Sequence, residues 1–373
     1  MNGCHTLLMC MCIKPGKSMN ANYKQLIGSA AMIFAMSSTT FAQTNSCPPK
    51  KPAPCCYEQG YGLCDDKIPP AYNGAARFDV QCAWDFFMTG SFIYWHADQE
   101  GMDLAYPEDL GTGYPLNDQI EIQKFEFKPG FKVGLGMNFE YDNWVGALEY
   151  TWFRQQTQTS KTAPSGRHWQ MTDWYATRGG IIATSFDSKW RTHFDILDAT
   201  MSRPYYQSRK ITITPFGGMR AAWIRQSLYI KAIFPAESPW ISDNHSHCWS
   251  VGPRAGLQAH WLLGAGFRME GDFSGSLLFT RFTDVSHKEY QCSLKYRDYN
   301  SLRPMTDMSV GLGWGSYFDH QNYHLDFLAA YDFNVMWGQN MMRSLVGTLN
   351  DGATSEAANL HLQGLTATAR FDF

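Results

Sequence analysis

The chain has 373 residues and a formal net charge of −3, with 31 Lys and Arg against 34 Asp and Glu. This near-balance excludes a basic nucleic-acid binder and a polybasic membrane-surface protein, both of which need an excess of positive charge. Only 17% of the residues are charged although 15% are aromatic, which fits neither an ordinary soluble domain nor a disordered chain and favours a mostly β protein.

The first element in chain order is an apolar run over residues 26–36, preceded by Lys24 and followed by small residues that include Thr40 and Ala42. A short basic region, an apolar core and small residues at −3 and −1 are typical of a secretory signal. We predict a signal peptide over residues 1–42, with Met19 as an alternative start. A buried helix is the competing interpretation, and the cleavage site argues against it.

Residues 43–83 form a segment rich in Cys and Pro, which we predict to lie in the periplasm outside any regular element. An oxidising compartment favours disulfides, and the odd number of cysteines after residue 42 leaves at least one thiol free or for a partner chain. Local disulfides and cross-links between chains both remain open, whereas the Cys55-Cys56 doublet lacks the usual spacing of a zinc site. The candidate disulfide cysteines are Cys47, Cys55, Cys56, Cys64, Cys82, Cys248 and Cys292.

Much of the remaining chain alternates between apolar and polar or small residues, as expected for a strand with two different environments. In residues 125–139, for example, Phe131 and Val133 fall on one face while Lys128 and Lys132 fall on the other. The alternation predicts ten strands, at residues 84–96, 125–139, 144–154, 189–201, 210–224, 249–261, 265–281, 305–318, 322–333 and 359–373.

The connections between these predicted strands are alternately short and long. This pattern is typical of an outer-membrane barrel, and a soluble β-sandwich has no reason to sort its loops in this way. We therefore predict an all-β fold over residues 84–373. It would be a transmembrane antiparallel up-and-down β-barrel of about 10 strands, or alternatively 12, with short periplasmic turns and long extracellular loops.

Aromatic residues cluster near both ends of the predicted strands, as expected for two girdles at the headgroup levels of a membrane. A soluble core would scatter them along the strands. We expect Tyr94, Trp152, Trp190, Trp223 and Trp249 at the outer rim, and Trp144, Trp261, Trp314 and Tyr317 at the inner rim.

Several segments resemble the pore-forming outer-membrane proteins of Legionella and, more closely, the major-outer-membrane-protein-like proteins of environmental chlamydiae. These segments are residues 85–102, 129–136, 144–153, 216–223 and 252–256. The resemblance implies an integral β-barrel of the outer membrane of a Gram-negative bacterium with porin-like activity. In chlamydial relatives it also implies an envelope cross-linked through cysteines.

Charged residues of both signs fall on the predicted inner face. In a pore they would line a hydrated channel for small solutes or ions, whereas in a narrow barrel they would pair and block it. The second possibility is a plugged barrel that acts as an adhesin or a structural scaffold. The candidate lumen-lining residues are Lys128, Lys132, Arg191, Asp195, Arg220, Arg254, Arg268, Glu270, Asp272, Asp326 and Arg370.

Two clusters could be tested for catalysis, His193 with Asp195, and His245 with His247 and Cys248. Neither supplies a nucleophile with its own base and orienting carboxylate, so we predict no enzyme activity, cofactor or metal. The expected partners are outer-membrane lipid, other copies of this chain and disulfide-linked envelope proteins, but no nucleic acid. The terminal Phe373 also resembles the signal that the barrel assembly machinery reads.

Overall fold

The computed structural model describes residues 76, 80, 85–109, 120–139, 141–175, 182–235, 238–290, 292–351 and 357–373. Within these residues, ten long strands form a closed antiparallel barrel, and shorter strands pair at its margins or at its end. The barrel strands are β1 (Phe86–Gln99), β2 (Phe127–Asn138), β3 (Val145–Thr162), β4 (Ser185–Ser202), β5 (Ile211–Ile233), β6 (Trp240–Gly264), β7 (Phe267–Lys288), β8 (Tyr299–Phe318), β9 (Tyr323–Asn340) and β10 (Ala358–Asp372).

The topology is up-and-down, because every barrel strand pairs with its neighbours in the chain and β10 pairs with β1 to close the ring. At the closure, Phe87 lies opposite Asp372 and Gln99 lies opposite Leu360. Closure pairs both edges of the sheet, which is how a β structure satisfies its backbone groups in lipid. The predicted fold is confirmed, with ten rather than twelve barrel strands among the described residues.

The two ends of the barrel differ in their connections. At one end the strands join through short segments at residues 139–144, 203–210, 265–266 and 319–322, close to the predicted turns. At the other end the strands run further than predicted. The connection expected at residues 225–248 shrinks to 234–239, since β5 and β6 continue as a hydrogen-bonded ribbon beyond the membrane.

The outer face of the barrel carries the large apolar side chains. Phe92 is 58% exposed, Leu257 is 54% exposed and Val310 is 64% exposed. A soluble protein rarely exposes so much contiguous apolar surface, whereas a membrane barrel requires it.

Both predicted aromatic girdles are present, with one correction. Trp261 and Trp314 are exposed at the short-turn end, and Trp223 is exposed towards the other end. Trp190, which we expected in the outer girdle, is fully buried and points into the barrel. Its ring packs edge-on against Phe125, with 5.2 Å between the ring centroids.

The outer end of the barrel contains an apolar core, which we call the outer core. A four-stranded sheet contributes to it, formed by Asp103–Asp109, Glu121–Ile122, Arg167–Met171 and Ile182–Ala183. Helix α1 (Met341–Asp351) also contributes, through buried side chains such as Met342 and Val346. These side chains pack with inward residues of the barrel strands, including Trp190, in one buried cluster.

The predicted signal peptide at residues 1–42 lies outside the described residues. So does the Cys- and Pro-rich segment at residues 43–83, apart from Ala76 and Val80. The helical content of the described residues includes no helix long and apolar enough to span a bilayer.

Candidate functional site: the barrel lumen

The inward side chains enclose a chamber of about 360 Å³. Its lining runs from residues near the short-turn end, such as Ser202 and Arg268, up to Trp95 and Phe194. Charged side chains of both signs converge there because alternate positions of every barrel strand face inward. The ionisable lining comprises the bases Lys132, Arg220, Arg254, Arg268 and Arg370, with His260, and the carboxylates Glu149, Asp198, Glu270, Asp272, Asp307, Asp326 and Asp332.

Arg220 on β5 is the centre of the largest ion-pair network. Its Nε and Nη2 atoms donate to the two carboxylate oxygens of Asp198 on β4, at 2.7 and 2.8 Å, and its Nη1 atom donates to Asp307 on β8 at 2.6 Å. Arg254 on β6 joins the same network through Asp198 at 3.3 Å. Arg220 is only 4% exposed, so its charge requires these partners.

A second ion pair ties β2 to β9 across the intervening strands. Lys132 donates to Asp332 at 3.1 Å, and Thr366 on β10 donates to the same carboxylate at 2.6 Å. The Lys132 ammonium also lies 4.9 Å from the centre of the Trp95 ring. These contacts hold a basic group against the wall of the chamber.

A third group of charges lies nearer the short-turn end. Arg268 donates to Glu270 at 3.1 Å and to Asp326 at 2.9 Å, so that β7 is joined to β9. Arg370 on β10 donates to Asp372 at 2.6 Å. Opposite charges therefore pair along the whole depth of the chamber.

Apolar and amide side chains close the chamber towards the outer core. Trp95, Phe194 and Met305 are almost completely buried above the Arg220 network. Beyond them, Gln226 on β5 donates to Gln99 on β1 at 2.8 Å, although these strands lie on opposite sides of the barrel. In this conformation the lumen is bridged at that level.

Most of the predicted lumen-lining residues do point inward. Lys132, Arg220, Arg254, Arg268, Glu270, Asp272, Asp326 and Arg370 line the chamber. Lys128 is also on the inner face, but it lies at the outer end of β2, where it pairs with Glu126 at 2.7 Å.

Arg191 and Asp195 were assigned to the wrong face. On β4 the inward positions are taken by residues such as Trp190 and Phe194, which pack into the outer core, so Arg191 and Asp195 point outward. The inward charge on this strand is Asp198, which the sequence reasoning missed. In the register of β4 and β5, Asp198 lies directly opposite Arg220, which the alternation of β4 alone does not show.

Cys248 also differs from its predicted role. It points into the barrel and is buried, and the Nε2 atom of Gln339 lies 3.1 Å from its sulfur. A thiol in this position cannot reach another chain in the folded barrel. Cys292 lies beside Glu289 in the turn after β7, where their backbones hydrogen-bond, and the other five candidate cysteines lie outside the described residues.

The two clusters considered for catalysis are not assembled as active sites. His245 and His247 point outward from β6 whereas Cys248 points inward, so the three groups do not meet. His193 and Asp195 both lie on the outer face, where Arg154 binds the Asp195 carboxylate at 2.7 Å.

A protein-family model matches most of the chain. The family model described as the Legionella pneumophila major outer membrane protein precursor matches residues 79–373. No curated protein matches the chain.

The solved structures to which the chain is similar, all at low identity, include the following three. The outer membrane protease OmpT from Escherichia coli is 10% identical, with a TM-score of 0.42 over 78% of this chain and 97% of that chain. The attachment invasion locus protein Ail of Yersinia pestis is 9% identical, with a TM-score of 0.22 over 77% and 99%. A FadL homologue of Pseudomonas aeruginosa is 6% identical, with a TM-score of 0.24 over 77% and 89%.

Proposed function

The chain belongs to the family of the Legionella pneumophila major outer membrane protein, and from this premise we propose that it is a porin-like channel for small solutes or ions. It is an integral protein of the outer membrane. The observation that carries the proposal is the charged chamber of about 360 Å³ inside a barrel whose outer face is apolar. A polar lumen behind an apolar outer surface is what a water-filled path across a membrane requires.

The structure corresponds to a closed conformation of the proposed channel. The Arg220 network, the layer formed by Trp95, Phe194 and Met305, and the Gln99–Gln226 hydrogen bond lie in series along the lumen. Ten strands leave a narrow interior, and the outer core lies beyond these three layers, so an open path requires side chains to move at each level and in part of the outer core. Conduction would therefore be small and intermittent.

A second candidate function is a plugged barrel that serves as an adhesin or a structural scaffold. The outer core supports it, because the inner faces of the barrel strands, α1 and the four-stranded sheet share one buried cluster. Cysteine cross-links to the envelope would then depend on the segment that holds Cys47, Cys55, Cys56, Cys64 and Cys82, since Cys248 is inside the barrel. In either case we propose no catalytic activity.

Single-channel recording of the folded protein in a planar bilayer tests the proposal. We expect brief, discrete current steps for the natural chain and longer open times for the variant Gln99→Ala/Gln226→Ala, which lacks the bridge across the lumen. The matched control is Gln156→Ala/Gln158→Ala, which alters two exposed amides on the outward face of β3. If none of the three folded, inserted proteins gives current steps, the channel proposal is wrong and the plugged barrel is the better account of the function.

A further inference from the structure

A row of basic side chains crosses the outer face of four adjacent strands. Arg154 on β3, His193 on β4, Arg225 on β5 and His247 on β6 lie opposite one another in register. Arg191 lies on the same face, two residues before His193. We call these five side chains the basic patch. Neighbouring strands are about 4.8 Å apart, so the row spans roughly 15 Å of the barrel surface.

The basic patch lies directly above the outer aromatic girdle. The row beneath it contains Trp152, Trp223 and Trp249, with Asp195 between the first two. Below these residues the outward side chains become apolar, as at Leu197. Because tryptophan marks the headgroup level of a membrane, the patch faces the polar part of the outer leaflet.

The guanidinium groups of the patch differ in their pairing. Arg154 is bound by both oxygens of Asp195, at 2.8 and 2.7 Å, and its guanidinium lies 5.0 Å from the centre of the Trp152 ring. Arg191 and Arg225 are exposed, and neither side chain has a hydrogen bond or ion pair within the described part of the chain. Two arginines are therefore available to an external anion.

Among the described residues, the outer face of one side of the barrel lacks Arg and Lys near this rim. On β9, β10 and β1, the outward positions towards the same rim hold no Arg or Lys among the described residues. They are Tyr331, Phe333, Val335, Trp337, His361, Gln363, Leu365, Tyr94, His96 and Asp98. Attraction for an anion would thus favour a defined position around the barrel, which a uniformly charged rim would not give.

We propose that the basic patch binds the phosphate groups of an acylated, phosphorylated saccharide of the outer leaflet. The planar fork of each arginine matches phosphate oxygens and can donate two hydrogen bonds to them. Acyl chains of the same molecule would lie against the apolar belt that includes Leu197 and Val251. One such ligand would therefore contact both the charged row and the apolar surface beneath it, whereas a soluble polyanion would contact only the charged row.

The test compares the binding of lipid A and of its dephosphorylated form to the full-length folded protein in detergent micelles. Arg191→Ala/Arg225→Ala removes the two unpaired guanidiniums and leaves the Arg154–Asp195 pair intact. The matched control is Arg209→Ala/Lys210→Ala, two exposed basic residues in the turn at the opposite rim. Lipid that remains bound through purification is measured by mass spectrometry.

We expect the natural chain and the control to prefer lipid A, and the Arg191→Ala/Arg225→Ala variant to bind it at least about tenfold more weakly. Equal binding of lipid A and its dephosphorylated form by the natural chain would overturn the proposal. So would unchanged binding by the double variant. Binding of a soluble sulfated glycan that depends on Arg191 and Arg225, without preference between the lipids, would also overturn it and assign the patch to a soluble polyanion.

Discussion

Outward side chains of the barrel meet the membrane at different depths, and the effect of a new charge depends on that depth. Leu257 on β6 lies between Trp249 and Trp261, the residues of that strand in the outer and the inner girdle. Phe131 lies beside the girdle residue Trp152, with 5.2 Å between the ring centroids. A charge is therefore much less tolerable at Leu257 than at Phe131.

We expect Leu257→Arg to destabilise the folded barrel by about 2–4 kcal/mol and Phe131→Arg by about 1 kcal/mol or less, apart from the lost ring contact. Reversible unfolding in phospholipid vesicles measures both values, and Thr214→Ala on the inner face is a variant that leaves the lipid surface unchanged. A larger effect at Phe131 than at Leu257 would contradict the assigned depths.

Glu100, outside the barrel strands, ties the end of β1 to β10. Burial disfavours the charged form of Glu100. The hydrogen bonds from the backbone N–H of Asn359, at 3.0 Å, and from the His361 ring, at 2.8 Å, outweigh this effect of burial, so the pKa of Glu100 falls below its usual value of 4.5. A carboxyl with a lowered folded-state pKa stabilises the fold above the unfolded pKa. That contribution disappears as the pH falls through the folded pKa.

The natural chain should therefore melt at a higher temperature than Glu100→Gln above about pH 4.5, and the difference should shrink as the pH falls further. The difference will be small because the carboxyl is half exposed and solvent screens the pair. Melting temperatures of both proteins across this range provide the measurement. A difference that grows on acidification would contradict the assigned direction.

The sequence predicts which side chains face the lumen when the surroundings of a strand are the same along its whole length. Strand β4 shows why this prediction fails when the surroundings change. Beside the membrane β4 follows the barrel rule, with Leu197 outward and Asp198 inward. Beyond the girdle the surroundings reverse, since the outer core takes the apolar Trp190 and water takes Arg191. The side chains of β4 alternate between its two faces without interruption. This alternation alone therefore does not show that apolar side chains point to lipid beside the membrane and to the barrel interior beyond the girdle.

At the scale of the element, close strand contacts depend on glycine at a few inward positions. A Cβ atom added at Gly252 on β6 would lie 2.1 Å from the carbonyl oxygen of Leu277 on β7, which is backbone and cannot move aside alone. A Cβ atom added at Gly275 on β7 would have nothing within 4 Å. A comparison of Gly→Ala at these two positions therefore distinguishes the cost of the steric conflict from the general effect of replacing a glycine.

We expect Gly252→Ala to destabilise the barrel by about 1–3 kcal/mol because the sheet must shift. We expect Gly275→Ala to be neutral or slightly stabilising because it restricts the unfolded chain. Unfolding in denaturant, followed by tryptophan fluorescence, compares the two variants. Equal stabilities would mean that β6 and β7 adjust without strain.

Helix α1, like the short strands of the four-stranded sheet, was not predicted, because it falls inside a predicted loop at residues 334–358. Its buried positions Met341, Met342, Leu345 and Val346 have helical spacing, and the Asn340 side chain accepts a hydrogen bond from the Arg343 backbone at 3.1 Å as an N-cap. Both signals were present in the sequence. A search for period two overlooks them, since they belong to the period of a helix.

At the scale of the whole molecule, the barrel assembles an excess of negative charge in its lumen although the chain is nearly neutral. The chamber has seven carboxylates against five Lys and Arg side chains. Most of these charges are paired, but Glu149 and Asp272 have no ion pair within the described ranges. A lumen of this kind favours cations weakly, because the local potential depends on the few charges left unpaired.

The open state should therefore prefer potassium over chloride at neutral pH, and Asp272→Asn should move the reversal potential in a salt gradient towards zero. Asp98→Asn makes the same chemical change on the outer face of β1 and should leave the reversal potential unchanged. Recording both changes on the Gln99→Ala/Gln226→Ala background gives open times long enough to measure. An equal shift from both would locate the selectivity in the field of the whole protein. A shift from Asp272→Asn alone would place it in the chamber, where an unpaired carboxylate acts on ions confined by the ten-stranded wall.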